Sequence, residues 1–311
     1  MKIIDFFSKL KNATLKPKKY IFKIISLILM IILSVYVLGF ALNRARDHEI
    51  YKEKEIETKI YSVWHIETFE GGSKPRIQLL KSVARDIEKQ NDGILFMITS
   101  VSANELENRL KDNCPDIISF GFGVGKTVLP HLCELEQEYQ VRDSLTSSST
   151  YANKLMAIPY ISSGYAKFSH GGEISEWIYG KTEFTSPNLA GNEKECFGQY
   201  EAYKKFIYNK KTALIGTARD VFRVFNLNNV GRLTASITPL ADYTDLIQYC
   251  GITKKDDYTL LFLEKLLCAE TQVKLTDYSL FSVKHNKIYS SGIYSDMEDA
   301  ILSATTPNVF E

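Results

Sequence analysis

The chain has 311 residues, of which 45 % are hydrophobic, 24 % charged and 12 % aromatic, with a formal net charge of +1. That composition excludes wholesale disorder, a collagen-like chain and a multi-span membrane protein, and it offers no overall field for nucleic acid. The balance hides an asymmetry: residues 1–42 hold seven Lys and one Asp, so the remainder is net acidic.

From Ile24 to Leu42 run 19 residues without a charge. As a helix they span about 28 Å, close to the hydrocarbon core of a bilayer. Lys2, Lys9, Lys11, Lys16, Lys18, Lys19 and Lys23 precede them, which keeps the N-terminus in the cytoplasm and exports the rest. A cleaved signal peptide and a retained signal anchor compete here. Gly39-Phe40-Ala41 has small residues at a cleavage-like spacing, but the apolar run and its basic lead are long for a signal peptide, which favours the anchor. Residues 43–58 are dense in both signs of charge and read as a solvated stalk. The folded part is expected over residues 59–311.

Lys59 to His65 alternates as a strand, and the loop after it carries Gly71-Gly72. A helix follows, with Ser73 as N-cap, Pro75 in its first turn and Ile77, Leu80, Ala84 and Ile87 on one face. Ile94–Thr99 reads as a buried strand. Ser102 and Glu105 spell a capping box that opens the next helix. Asp116–Phe120 is a third strand, closed by Gly121-Phe122-Gly123. This β-α-β-α-β order predicts a parallel sheet covered by helices, with ligands beyond the carboxyl ends of its strands, at 64–72, 100–102 and 121–125. Farther on, Met156–Tyr160 reads as a short crossing strand and residues 171–199 as loops around a short helix. Tyr200, Tyr203, Phe206 and Ile207 form a helical face, Thr212–Thr217 a strand, and a last helix starts near Thr253.

Several motifs invite chemistry. Gly121 to Thr127 ends in Gly-Lys-Thr after a strand, but Gly121 and Gly125 enclose three residues where a P-loop needs four. His65 has no G-x-S-x-G partner, and Glu67 with Glu70 share one loop, with nothing to set a glycosidase spacing. Cys114, Cys133, Cys196, Cys250 and Cys268 show no metal-finger spacing, and the five His are scattered. Nothing calls for a metal or cofactor.

Val63-Trp64-His65, Gly71-Gly72 and Pro115–Gly123 resemble the extracellular solute-binding proteins of ABC importers, in the sugar and glycerol-phosphate class. Ala157–Tyr160 with Ser162–Tyr165 is similar to that family's crossing between lobes. Ala213–Asp220, Lys254–Leu275, Phe281–Val283 and Thr306–Phe310 match later segments in the same order. The resemblance implies an α/β, two-lobed periplasmic-binding-protein-like fold of type II. Because the stretch between Tyr165 and Thr212 is short for the family, the second lobe should be reduced. Residues 59–159 and 243–280 would form lobe one; residues 160–242 and 281–311 would form lobe two. No lipobox Cys follows the apolar run, so the transmembrane helix takes the place of a lipid anchor.

The same resemblance implies capture of a small, sugar-like solute between the lobes, with no catalysis, and delivery to an ABC permease in the same membrane. An alternative is a tethered sensor or accessory protein on a degenerate form of the fold. Trp64 and Tyr160 are the expected stacking rings, and the N–H groups of Gly121 and Gly123 the polar contacts. Arg219 and Asp220 would orient the ligand from lobe two. His65, Glu70, Phe122 and Tyr165 complete the expected site.

Overall fold

In the computed structural model, residues 17–50, 58–189 and 191–311 are described. The basic lead at 1–16 and the stalk at 51–57 lie outside the described residues. The chain divides into two units, residues 1–57 and 58–311. In the first, helix α1 (Pro17–Ile50) is continuous. Its segment Lys23–Leu42 is long and apolar enough to cross a membrane, and its side chains are exposed.

The second unit begins with the alternating strand β1 (Lys59–His65), whose inward residues Tyr61, Val63 and Trp64 enter the core. Helix α2 (Ile77–Glu88) covers it with Leu79, Leu80, Val83, Ala84 and Ile87. Strand β2 (Ile94–Ser100), helix α3 (Ala103–Asp112) and strand β3 (Ile117–Gly121) complete the expected β-α-β-α-β run, with β2 and β3 parallel to β1 on either side. After the short helices α4 (Gly125–Val128) and α5 (Asp143–Ser148) comes a small hairpin of β4 (Thr150–Tyr151) and β5 (Lys154–Leu155). Strand β6 (Ile158–Ser162) ends this half.

A second sheet is then built from β7 (Tyr165–Ser169), β8 (Glu176–Lys181), β9 (Lys194–Phe197), β10 (Thr212–Thr217) and β11 (Ser236–Pro239), in spatial order β11-β7-β10-β8-β9. Helices α6 (Gln199–Tyr208) and α7 (Ala218–Asn229) pack on it through Ala202, Phe206, Val221 and Val224. Strand β12 (Ile247–Ile252) returns to the first sheet, whose order is β2-β1-β3-β12-β6. Helices α8 (Asp257–Leu267) and α9 (Ala269–Lys274) follow, and α10 (Gly292–Ser303) packs on the second core through Met297 and Ile301. The two sheets have separate hydrophobic cores, which define two lobes. Val309 and Phe310 close the first core, the latter ring 6.1 Å from Phe120.

The lobes are joined where three segments cross. One follows Ser162, one is Leu240–Leu246, and one is at Phe281, which bridges to Ser162. There Leu280 and Val283 enter the first core while Phe281 enters the second. The buried Arg142 staples the crossing. Its Nη1 donates to Ile301 O at 3.2 Å, its Nη2 to Ser162 Oγ and Ser282 O at 3.2 Å each, and its Nε to Val283 O at 3.4 Å.

The local expectations need four corrections. Ser73 does not cap α2; the N-cap is Arg76, without a side-chain bond, and Pro75 precedes the helix. The capping box at Ser102 does not form, whereas boxes do form at Thr217 with Asp220 and at Asp256 with Thr259. The stretch at 171–199 contains two strands and no helix before Gln199, because the lobe-two sheet recruits Glu176–Lys181 as a parallel neighbour of β10. Finally, α10 follows the helix that was expected to be last.

Candidate functional site

The carboxyl ends of β1 and β3 point toward lobe two. The segment between β8 and β9 lies over them. Thr182 Oγ1 donates to Thr68 O at 2.9 Å and Ser186 N to Asp245 Oδ2 at 3.0 Å. Phe184 packs against Gly123, where an added Cβ would meet its ring at 2.6 Å; Gly123 also has φ +91°. Both reasons require glycine there. Gly121 is equally tight, since a Cβ would run into Thr68 Oγ1. The space beside Gly121 and Gly123 is therefore filled by Thr68 and Phe184 of the protein itself. Phe122 is half-buried against the lobe-one core.

The predicted rings lie inside. Trp64 is 8 % exposed and belongs to the lobe-one core. Tyr160 is fully buried, with its hydroxyl 2.8 Å from Ser119 Oγ. Ser119 Oγ also sits 2.9 Å from His65 Nδ1 and receives Gln248 Nε2 at 3.0 Å. His65 Nε2 in turn lies 3.3 Å from Glu67 Oε1. Burial holds His65 neutral by lowering its pKa, and its hydrogen bond to Glu67 holds that carboxyl down at about 2. Ser119, His65 and Glu67 stand in the order of a hydrolytic triad, but the hydroxyl is the fully buried end and the carboxylate the exposed one. No substrate reaches Ser119, so the row is a core device that orients the β1–α2 loop. Tyr165 is likewise buried and donates to Asp245 Oδ1 at 2.7 Å. Burial raises the pKa of Asp245 to about 6.

Beside this packed region is an open cavity of about 190 Å³. Lobe one lines it with Glu67, Phe69–Gly71 and Lys74–Arg76; lobe two lines it with Arg219 and Arg223 of α7. Of the expected site, Glu70 and Arg219 reach it. Glu70 Oε2 lies 3.1 Å from Arg223 Nη2 across the lobes, and Arg219 Nη1 donates to Gly72 O at 2.9 Å. Asp220 lies beneath. It is buried, accepts from Thr217 N at 3.1 Å and from Arg223 Nη1 at 3.0 Å, and burial raises its pKa to about 6. Its role is to cap α7 and aim Arg223.

Arg76, Arg223 and Lys74 were missed from the sequence. Arg223 carried a signal: it stands four residues after Arg219, so both fall on one helical face. Arg76 carried none. The cavity supplies charge and hydrogen bonds, with Phe69 and Pro75 as its apolar wall.

No family model and no curated protein matches the sequence. Solved structures do match. The GacH receptor of Streptomyces glaucescens GLA.O, solved unliganded and with acarbose, superposes with a TM-score of 0.57 at 10 % identity, over 80 % of this chain and 87 % of that one. The fold is that of the sugar-type ABC solute-binding proteins. The maltose/maltodextrin-binding domain MalE of Bdellovibrio bacteriovorus, bound to maltotriose, gives 0.52 at 12 % identity over 81 % and 89 %. An ABC substrate-binding protein of Listeria monocytogenes, in complex with cycloalternan, gives 0.54 at 9 % over 80 % and 88 %. The two-lobed type II architecture expected from the sequence is thus the observed one, and these neighbours are binding proteins.

Proposed function

We propose that this chain is a solute-capture protein of an ABC importer, held at the outer face of the membrane by Lys23–Leu42. One observation carries the reading: on a solute-binding fold, both lobes contribute charged side chains to a single cavity at the strand ends. A solute bound there touches Glu70 and Arg76 from one side and Arg219 and Arg223 from the other, so its binding favours closure of the lobes. The protein's part is recognition by hydrogen bonds and charge, and no bond of the solute is made or broken.

The cavity is small. At about 190 Å³ it falls below the roughly 300–1,000 Å³ of drug-sized sites, which suits one small solute and not an oligosaccharide. The segment from Thr182 to Ser186, which fills the neighbouring strand ends, favours a second reading, that of a tethered sensor or accessory protein on this fold.

Cross-linking the full chain in native membranes separates the two. Recovery of permease subunits supports import; ligand-dependent closure with some other membrane partner supports the sensor. N-terminal sequencing of the mature chain tests the tether, since a start near Leu42 means the helix is removed.

A further inference from the structure

Among the described residues two arginines are buried, and they are satisfied very differently. At the lobe crossing, each nitrogen of Arg142 donates to a carbonyl or hydroxyl oxygen. Arg76 is 2 % exposed and lines the inter-lobe cavity, its guanidinium 4.1 Å above the Phe69 ring, yet only its Nη2 makes a hydrogen bond, donating to Phe69 O at 2.7 Å. Its Nε and Nη1 have no partner. A buried guanidinium left with free N–H groups is costly, so the arrangement calls for an acceptor to complete it.

The protein's own carboxylates do not serve. Glu67 is engaged with His65 and stands 3.9 Å from Nη2 of Arg76, while Glu70 faces Arg223. Four cations, Lys74, Arg76, Arg219 and Arg223, surround the cavity against these two anions. Arg76 is the N-cap residue of α2, and Arg219 stands in the first turn of α7. Gly71 keeps the space open: a Cβ there would stand 3.1 Å from Arg76 Nη1 and 2.8 Å from Phe69 Cε2.

We infer that the solute carries an oxyanion group, a carboxylate or a phosphate, which docks on the free N–H groups of Arg76 and is closed in by Arg219. This deepens the solute-capture reading and rests on it. The rest of the solute is no larger than a small polyol or single sugar, because the cavity holds no more.

Calorimetric titration of the full chain in detergent micelles tests the inference with inorganic phosphate, gluconate, glucose and maltose as probes. Phosphate or gluconate should bind, with affinity falling as salt rises, and glucose and maltose should not. Whichever anion binds identifies the oxyanion. Arg76→Met should weaken it at least tenfold. Where that variant fails to fold, Arg219→Met, which leaves the cores intact, should weaken it severalfold. Glucose or maltose binding without the anions overturns the inference and leaves solute capture standing. A folded protein that binds none of the four overturns both.

Discussion

Arg219, at the start of α7 in lobe two, donates from Nη1 to the backbone carbonyl of Gly72 in lobe one at 2.9 Å. The acceptor is held firmly. Gly72 has φ +65°, and a Cβ there would collide with the carbonyl of Tyr278, so its loop has no room to shift. The bond ties a fixed carbonyl of lobe one to a side chain of lobe two.

Arg219→Met should remove that bond. Spin labels at the exposed positions Asp112 and Lys210, one on each lobe, report the separation. The expected outcome is a longer and broader distance distribution than in the parent, with the melting temperature almost unchanged. An unchanged distribution would mean that the contacts of Thr182 and Phe184 hold the lobes by themselves.

Arg142→Met removes the staple from the lobe crossing. It removes the guanidinium's bonds to Ile301, Ser282 and Val283, but Ser282 O still accepts from Ser162 Oγ and Val283 O from the backbone N–H of residue 142, so Ile301 O is the acceptor left short, at a cost of about 1–3 kcal/mol. Urea denaturation should show a loss of about 1–3 kcal/mol. A loss below about 1 kcal/mol would show that water replaces the guanidinium.

Trp64→Ala should cost about 3–5 kcal/mol, the range for deleting a large core ring. Ligand affinity should change little in whatever fraction folds. In a Trp177→Phe background only Trp64 emits, and its fluorescence should not respond to ligand. A clear spectral shift on titration would bring the indole back into contact with the solute.

Burial penalises the charge of Asp220 and Asp245 and pushes their carboxyls up to about 6, well above the usual carboxylate range. Between pH 4 and pH 6 the folded state therefore binds more protons than the unfolded one, and stability falls as pH rises. Glu67 and Asp256, held down at about 2, act oppositely: their contribution is complete at neutral pH and is lost only below about pH 4. In melting curves taken from pH 4 to pH 7, Asp245→Asn should flatten the decline by roughly 2 kcal/mol. A parallel slope in parent and variant would show that Asp245 titrates normally.

The first half of lobe one was legible because its periodicities are strong. The alternation of Lys59–His65 and the apolar face of Leu80, Ala84 and Ile87 leave little choice of structure. Glu176–Lys181 was not legible. It is short, contains Gly180 and sits among turn residues, and only its pairing with β10 makes it a strand. The helix at Gly292–Ser303 carries a signal that the reading in chain order did not use, since Ile293, Tyr294, Met297, Ala300 and Ile301 recur at helical spacing.

The candidate site divides the same way. The rule that ligands lie beyond parallel strand ends led to the loop after β1, which does line the cavity. It did not distinguish the side chains. Trp64 and Tyr160 are carried into the core, while Arg76 and Arg223, ordinary polar letters in the sequence, are placed at the cavity by loop and helix geometry. A buried arginine spells the same as a surface one.

The route of the chain through the two sheets has a consequence for its synthesis. All five strands of lobe two come from the unbroken stretch between Tyr165 and Pro239, so its sheet can pair as soon as that stretch has emerged. Strand β3 must wait for β12, its antiparallel partner from Ile247 to Ile252, and until then shows a bare, mostly apolar edge. Such an edge is a template for pairing with other chains, and non-local pairings form slowly. A ribosome that stalls before Ile252 therefore leaves an aggregation-prone fragment, and the dangerous interval in the life of this protein falls during its translation.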